Sequence, residues 1–87
     1  MNSSAVLSGH VTNRFFASDE NMCQLYCLGN RFCVSFNFGP PLQGTQRDCE
    51  ISNSDHVRHP QDMVSRDGYD YYSLEVMQNE MIMKGSW

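Results

Sequence analysis

Four cysteines are the residues of this sequence with the most definite chemistry. They stand at Cys23, Cys27, Cys33 and Cys49 in a chain of 87 residues. An even number of cysteines in a short chain is typical of a disulfide framework, which stabilises small domains in oxidising compartments. We therefore predict that these four side chains form two disulfide bonds.

Zinc binding is the main alternative for the same cysteines, because His56 and His59 would add two nitrogen ligands. Structural zinc sites usually combine two short Cys-x2-4-Cys knuckles, and Cys33 and Cys49 lie too far apart for a second knuckle. A catalytic thiol would require one activated cysteine beside a histidine, and a fully pairable set argues against it. We expect His10, His56 and His59 to be solvent-exposed, with no metal, no cofactor and no enzyme activity. The alternative to a disulfide-bonded domain is a small intracellular zinc-binding or thiol-reactive protein.

The charge balance excludes some classes of partner. Ten acidic against six basic residues give a formal net charge of −4, without any run of Lys or Arg. The electrostatic footprint that phosphate backbones require is therefore missing. The longest apolar runs are only a few residues, whereas a membrane-spanning helix needs about 20. We expect neither nucleic-acid binding nor membrane insertion.

The first residues of the chain bear on where the protein works. The segment from Met1 to Leu7 has no basic start and no apolar stretch of about 7–15 residues, so it does not have the pattern of a secretory signal. Because the cysteine usage favours an oxidising compartment, we nevertheless expect an extracellular or secreted protein, usually part of a larger one, whose signal is not present in this chain.

One helix is predicted between residues 18 and 29. The run Ser-Asp-Glu at 18–20 favours a helix start, because a capping hydroxyl is followed by two acids in the first turn. A Gly-Asn pair favours its end. Cys23 and Cys27 share one face of this helix, and Leu25 and Leu28 widen the apolar stripe.

The remaining elements are predicted to be short strands. Residues 32–38 alternate, with Phe36 and Phe38 on the face opposite Cys33. A Gly/Pro-rich segment at 39–44 cannot continue a ladder and reads as a long hairpin loop. We predict a first strand at 6–11, a returning strand at 48–51, a polar excursion at 53–66, a turn at Gly68, and a closing strand at 69–75.

These elements predict an α+β domain at residues 6–75, with one helix packed on an antiparallel sheet. A Met-rich tail with little order follows at residues 76–87. The helix places Cys23 and Cys27 one turn apart, about 6 Å along the axis. The reversal after the helix brings Cys33 beside Cys27, and the hairpin returns Cys49 beside Cys23. Of the three possible pairings we therefore predict the nested bonds Cys23–Cys49 and Cys27–Cys33.

The same residues resemble a known family. The pattern Cys-x3-Cys-x5-Cys-x-Ser-Phe-Asn-Phe precedes a Pro/Gly loop and Asp-Cys-Glu-Ile-Ser-Asn, then His-Pro-Gln-Asp at 59–62 and Gly-Tyr-Asp-Tyr-Tyr at 68–72. In this order the motifs resemble the four-cysteine core of the PAN/apple domain, as found in multidomain extracellular proteins of invertebrate animals. The resemblance implies a helix cradled by a curved antiparallel sheet, the same nested bridges, and protein–protein or protein–carbohydrate binding, as in cell adhesion. The extra cysteine pair of longer apple domains is missing here.

Five residues are candidate ligand contacts. Arg58, His59 and Arg66 make the only local basic cluster and would suit a sulfated glycan or an acidic protein, although a solvated loop has the same composition. Tyr69 and Tyr71 would stack on sugar rings or on a partner, but alternating tyrosines are equally typical of a half-buried strand. The identity of the partner stays open.

Overall fold

The computed structural model describes residues 2–74, which contain one helix and one antiparallel sheet. The elements are β1 (Asn2–Leu7), β2 (Val11–Ala17), α1 (Glu20–Leu28), β3 (Ser35–Gln43), β4 (Gln46–Ser52), a 3-10 turn (Pro60–Asp62) and β5 (Met63–Ser73). Their order across the sheet is β1-β5-β3-β4-β2, and every neighbouring pair is antiparallel. The predicted α+β architecture is confirmed. The tail predicted at residues 76–87 lies outside the described residues.

The predicted helix is present, with a different capping residue. The carboxylate of Asp19 accepts a hydrogen bond from the Met22 backbone N–H at 2.9 Å, so Asp19 is the N-cap rather than Ser18. A carboxylate there caps a free N–H and also complements the positive end of the helix dipole. The helix ends at Gly29, whose N–H donates to the Leu25 carbonyl.

Two disulfides attach this helix to the rest of the fold. Cys23 is bonded to Cys49 on β4, and Cys27 is bonded to Cys33, with Cα separations of 5.6 and 5.3 Å. The nested pairing predicted from the sequence is therefore confirmed. No cysteine is free, so none is available as a zinc thiolate or a nucleophile. The bridges lie in the core, which is completed by the following residues: Ala17, Phe36, Phe38, Ile51 and Leu74.

Strand β3 begins three residues later than the alternation predicted. Cys33 lies before the strand, so the direction of its side chain is not tied to the pleat. Phe36 and Phe38 therefore belong to the same core as the helix cysteines and are almost fully buried. The expectation that these two rings turn away from the helix was wrong.

The same strand also continues through the residues predicted to end it. Pro41 lies opposite Arg47, and the register shifts on both sides of Pro41. Proline has no N–H to donate, so it is accommodated where the ladder is interrupted. The hairpin then closes over two residues, with Gly44 at a φ of 61°. A short turn thus replaces the predicted long loop.

Two N-terminal strands replace the single one predicted at residues 6–11. β1 and β2 are separated by a turn at Gly9, whose φ is 86°, and they lie at opposite edges of the sheet. β2 is exposed along most of its length, so its sequence has no buried alternation. Strand β2 could therefore not be predicted from an alternation of apolar and polar residues.

Strand β5 starts at Met63, so the polar excursion is shorter than predicted. Ser3 of β1 faces Asp70, whereas Ala5 faces Ser65, so residues 66–69 bulge out of the ladder. Gly68 has a φ of 84° inside this bulge. It therefore does not form the predicted turn before the strand.

Candidate binding surface

Exposed apolar side chains gather where α1 passes over edge strand β2. We define the aromatic groove by Phe15, Leu25, Tyr26 and Phe32, which line one open depression together with Gly29, Asn30 and Arg31. The rings of Phe15 and Tyr26 are stacked, with centroids 4.5 Å apart. Leu25 and Phe32 are 66% and 67% exposed. Contiguous exposed apolar patches commonly mark interaction sites.

Covalent attachment positions the two halves of this groove. Phe15 on β2 lies opposite Cys49 on β4 in the sheet register. Cys49 in turn is bonded to Cys23 of the helix. Tyr26 follows Cys23 by three positions and so lies on the neighbouring turn of α1, where it meets Phe15. The stacked pair is therefore held by the longer disulfide.

A second staple holds the loop that carries Phe32. The bond between Cys27 and Cys33 closes this loop, and Asn30 Oδ1 accepts a hydrogen bond from the Phe32 backbone N–H at 3.0 Å. The guanidinium of Arg31 lies 5.6 Å from the centroid of the Phe32 ring. Because the Phe32 ring is mostly exposed, it adds little to the core. The disulfide and the hydrogen bond to Asn30 nevertheless restrain the backbone of Phe32.

A polar cleft adjoins the aromatic groove and shares Asn30 and Phe32 with it. This amide cleft is open, about 350 Å³ in volume, and lined by Thr12, Asn13, Asn30, Phe32 and Asn53. Asn13 Oδ1 accepts hydrogen bonds from Asn30 Nδ2 and from Thr12 Oγ1, each at 3.2 Å. The two sites together form one surface of apolar rings beside amide groups.

The basic residues singled out in the sequence have separate partners. Arg58 donates to the buried carboxylate of Asp55 at 3.1 Å. Arg66 lies instead 4.0 Å from a Glu50 oxygen, with its guanidinium 5.3 Å from the Tyr69 ring centroid. The predicted cluster is thus distributed over two acidic partners, and its role in ligand binding stays a prediction.

The histidines are packed rather than exposed. His59 Nδ1 shares a hydrogen bond of 2.6 Å with Ser54 Oγ, and its ring stacks on His10 with centroids 4.2 Å apart. His10 Nε2 is hydrogen-bonded to Asp62 at 2.7 Å. These contacts attach the turn between β1 and β2 to the segment before β5. His10, His56 and His59 are half-buried, so the expectation that they are solvent-exposed was wrong.

Tyr69 and Tyr71 are engaged inside the fold. Tyr69 OH donates to Asp48 Oδ2 at 2.6 Å, and Arg14 binds the same buried carboxylate. Burial, followed by this hydrogen bond to a carboxylate, raises the pKa of Tyr69 to about 12. Tyr71 is buried, which raises its pKa, and its hydroxyl accepts the His56 backbone N–H at 2.9 Å. The Tyr71 ring therefore presents no free face for stacking in this conformation.

Two absences within the described residues bear on function. Among residues 2–74, no three His, Cys, Asp or Glu side chains are grouped as a metal site would require. In the same part of the chain, no helix has the length and apolar character needed to cross a bilayer.

Sequence reasoning did not single out the aromatic groove. Leu25 and Leu28 were expected to widen the buried stripe of the helix, but both are exposed, and only Cys23 and Cys27 are buried on α1. The available signal was an excess of apolar residues on a helix whose disulfides already define its buried face.

Comparison with known proteins supports the fold. A family model described as "PAN domain" matches residues 2–76, which include the helix, all five strands and all four cysteines. No curated protein and no solved structure matches the chain. The match covers most of the 87 residues and agrees with the single helix, the antiparallel sheet and the two disulfides. The chain belongs to the PAN domain family.

Proposed function

We propose that this protein is an extracellular recognition module, usually part of a larger protein, that binds a protein or carbohydrate ligand through the aromatic groove. PAN domains are protein- or carbohydrate-binding modules. The observation that carries the proposal is Phe32, which is two-thirds exposed and directly precedes Cys33 in the loop closed by the Cys27–Cys33 bond. A rigid, exposed aromatic ring is suited to an external partner rather than to the core.

The two disulfides support the proposed extracellular setting. Both bridges are nearly or fully buried and connect the helix to the sheet and to the loop that follows it. Such bonds form and persist in oxidising compartments and are rare in the cytosol. A module of this kind is suited to cell adhesion and related recognition at the cell surface.

The composition of the groove supports ligand binding. Four of its side chains are aromatic or aliphatic, and the polar ones are Asn30 and Arg31. Aromatic residues and arginine are enriched at interfaces and among the residues that dominate binding energy. Because disulfides hold both the helix and the loop that line the groove, the backbone loses little conformational freedom when a ligand binds.

The test is a binding screen with matched variants. The oxidised protein is screened against extracellular proteins and a glycan array, and any ligand found is measured with Phe32→Ala and Leu25→Ala. If these side chains anchor the ligand, each variant weakens binding about 30-fold, the equivalent of ~2 kcal/mol. Val57→Ala is the matched control, because Val57 is apolar, 59% exposed and outside the groove.

Stability is measured in parallel. Truncation of an exposed side chain should change the free energy of unfolding by no more than ~0.5 kcal/mol. A ligand that binds all three variants as tightly as the unmodified protein would rule out the groove as the binding site.

A further inference from the structure

The amide cleft has a lining that differs from the groove beside it. Its five lining residues include one aromatic ring, and the other four carry uncharged amide or hydroxyl groups. No charged side chain lines it, although the protein carries a net charge of −4. Amides donate and accept hydrogen bonds, as sugar hydroxyls do, and an aromatic ring packs against the C–H face of a sugar.

We propose that the amide cleft is a carbohydrate subsite, in which one pyranose ring stacks on Phe32 while Asn13 and Asn53 bind its hydroxyls. This inference rests on the proposed function and names the ligand class for one part of the same surface. The volume of about 350 Å³ lies at the lower end of the range for small-molecule pockets.

Hydrogen-bonding capacity remains unused in this cleft. Asn13 uses its side-chain oxygen for Asn30 and Thr12, while its Nδ2 has no partner among the described residues. Asn53 is exposed, and within residues 2–74 neither atom of its side-chain amide is hydrogen-bonded. A ligand can therefore bind these donors and acceptors without breaking any hydrogen bond within the protein.

The cleft is also preorganised. The single hydroxyl proton of Thr12 is shared between Asn13 Oδ1 and the Ile51 carbonyl, which lies 3.3 Å from Thr12 Oγ1, and the backbone N–H of Asn53 donates to the His10 carbonyl at 3.2 Å. Asn30 bridges the two walls through its bonds to Asn13 and Phe32. Fixing the polar groups before binding lowers the entropic cost of a small ligand.

A protein ligand suits this cleft less well than a sugar. A protein hot spot normally fills an apolar pocket from which water is excluded. The amide cleft offers one ring and is otherwise polar, whereas the apolar side chains are concentrated in the neighbouring groove.

The experiment is an NMR titration of the full, oxidised, ¹⁵N-labelled chain with galactose, mannose, glucose, N-acetylglucosamine and glucuronate separately. At least one sugar, at ~50 mM, should shift the side-chain amide signals of Asn13 and Asn53 with a Kd of about 1 mM. Saturation transfer should reach the ring C–H protons of that sugar. If only glucuronate shifts these signals, the ligand of the cleft is an acidic pyranose. If any of the four uncharged sugars shifts them, the ligand is a neutral pyranose.

The variants separate this inference from the proposed function. Phe32→Ala should weaken sugar binding about tenfold, and Asn53→Ala should remove the sugar-induced shift of Asn13. Val57→Ala is the matched control, because Val57 is apolar and exposed and lines neither the groove nor the cleft. If none of the five sugars shifts the Asn13 and Asn53 signals, the carbohydrate subsite is excluded. The proposed function still stands if the groove variants lose another ligand.

Discussion

The side chain of Asn37 pairs with the backbone of Leu7 as a neighbouring strand would. The Leu7 N–H donates to Asn37 Oδ1 at 3.1 Å, and Asn37 Nδ2 donates to the Leu7 carbonyl at 3.2 Å. The same Nδ2 also donates to Glu50 Oε1 at 3.0 Å. Leu7 and Asn37 are both fully buried. One amide thus attaches the end of edge strand β1 to the centre of the sheet, on the face opposite the helix.

Replacing this amide should be costly. Asn37→Leu leaves the polar backbone groups of Leu7 buried without a partner, so the free energy of unfolding should fall by ~2–4 kcal/mol. Urea denaturation of the oxidised protein measures the change. Asn53→Leu is the control, because Asn53 is exposed and its substitution should cost at most ~0.5 kcal/mol. Equal losses for the two variants would contradict this role of Asn37.

Gly39 provides space for the ring of Tyr69. A Cβ atom at Gly39 would lie 2.5 Å from Tyr69 Cε2, so Gly39→Ala must displace the ring from its bond to Asp48. We expect a loss of ~1–3 kcal/mol in the free energy of unfolding. In a Tyr69→Ala background the same substitution should cost much less, because no ring has to move. An equal cost in both backgrounds would show that Tyr69 is not the cause.

The two disulfides should contribute unequally to stability. Cys23–Cys49 joins residues 26 positions apart and Cys27–Cys33 residues 6 apart, for which the chain-entropy model gives ~3.5 and ~2.4 kcal/mol. The Cys23→Ser/Cys49→Ser protein should therefore unfold at lower urea concentration than the Cys27→Ser/Cys33→Ser protein. The reverse order would mean that native packing, rather than loop closure, determines the contribution of each bridge.

Stability should fall at alkaline pH. Burial and the hydrogen bond to Asp48 raise the pKa of Tyr69 to about 12, and burial followed by the nearby Glu20 carboxylate also raises the pKa of Tyr72. In the unfolded chain these groups ionise near pH 10. Their contribution is therefore complete below about pH 10 and is lost as the pH rises toward 12.

Unfolding free energies measured at a series of pH values from ~9 to ~12 test this dependence. Tyr69→Phe removes one of the ionising groups, so its stability should decrease less steeply over this range. A slope unchanged by Tyr69→Phe would show that Tyr69 ionises alike in the folded and unfolded chains.

Helix α1 and the Cys27–Cys33 bond could be predicted because their signals are local, and the predicted hairpin then paired Cys49 with Cys23. A Ser-Asp-Glu helix start, a helical spacing of four residues between Cys23 and Cys27, and a glycine that reverses the chain all act over a few positions. Strand boundaries were predicted less well. Pro41 inside β3 is tolerated only because the ladder is irregular there, which depends on the partner residues of β4.

The candidate site was harder to predict for the same reason. Phe32 and Phe36 are the same residue type four positions apart, yet one is exposed and the other is in the core. The difference arises because β3 starts at Ser35, where pairing with Ser52 and Ser73 begins. Those partners are distant in the sequence, so alternation alone could not separate the two rings.

The sequence by itself determined the disulfide framework, the single helix and the family, because the spacing of cysteines and capping residues constrains nearby backbone. Only the tertiary structure decided which apolar side chains were left outside the core. β2 pairs with β4 across a long separation in the chain, and this pairing places Phe15 beneath Tyr26. The surface proposed to bind ligands is thus a product of long-range strand pairing, which leaves no local pattern in the residues that form it.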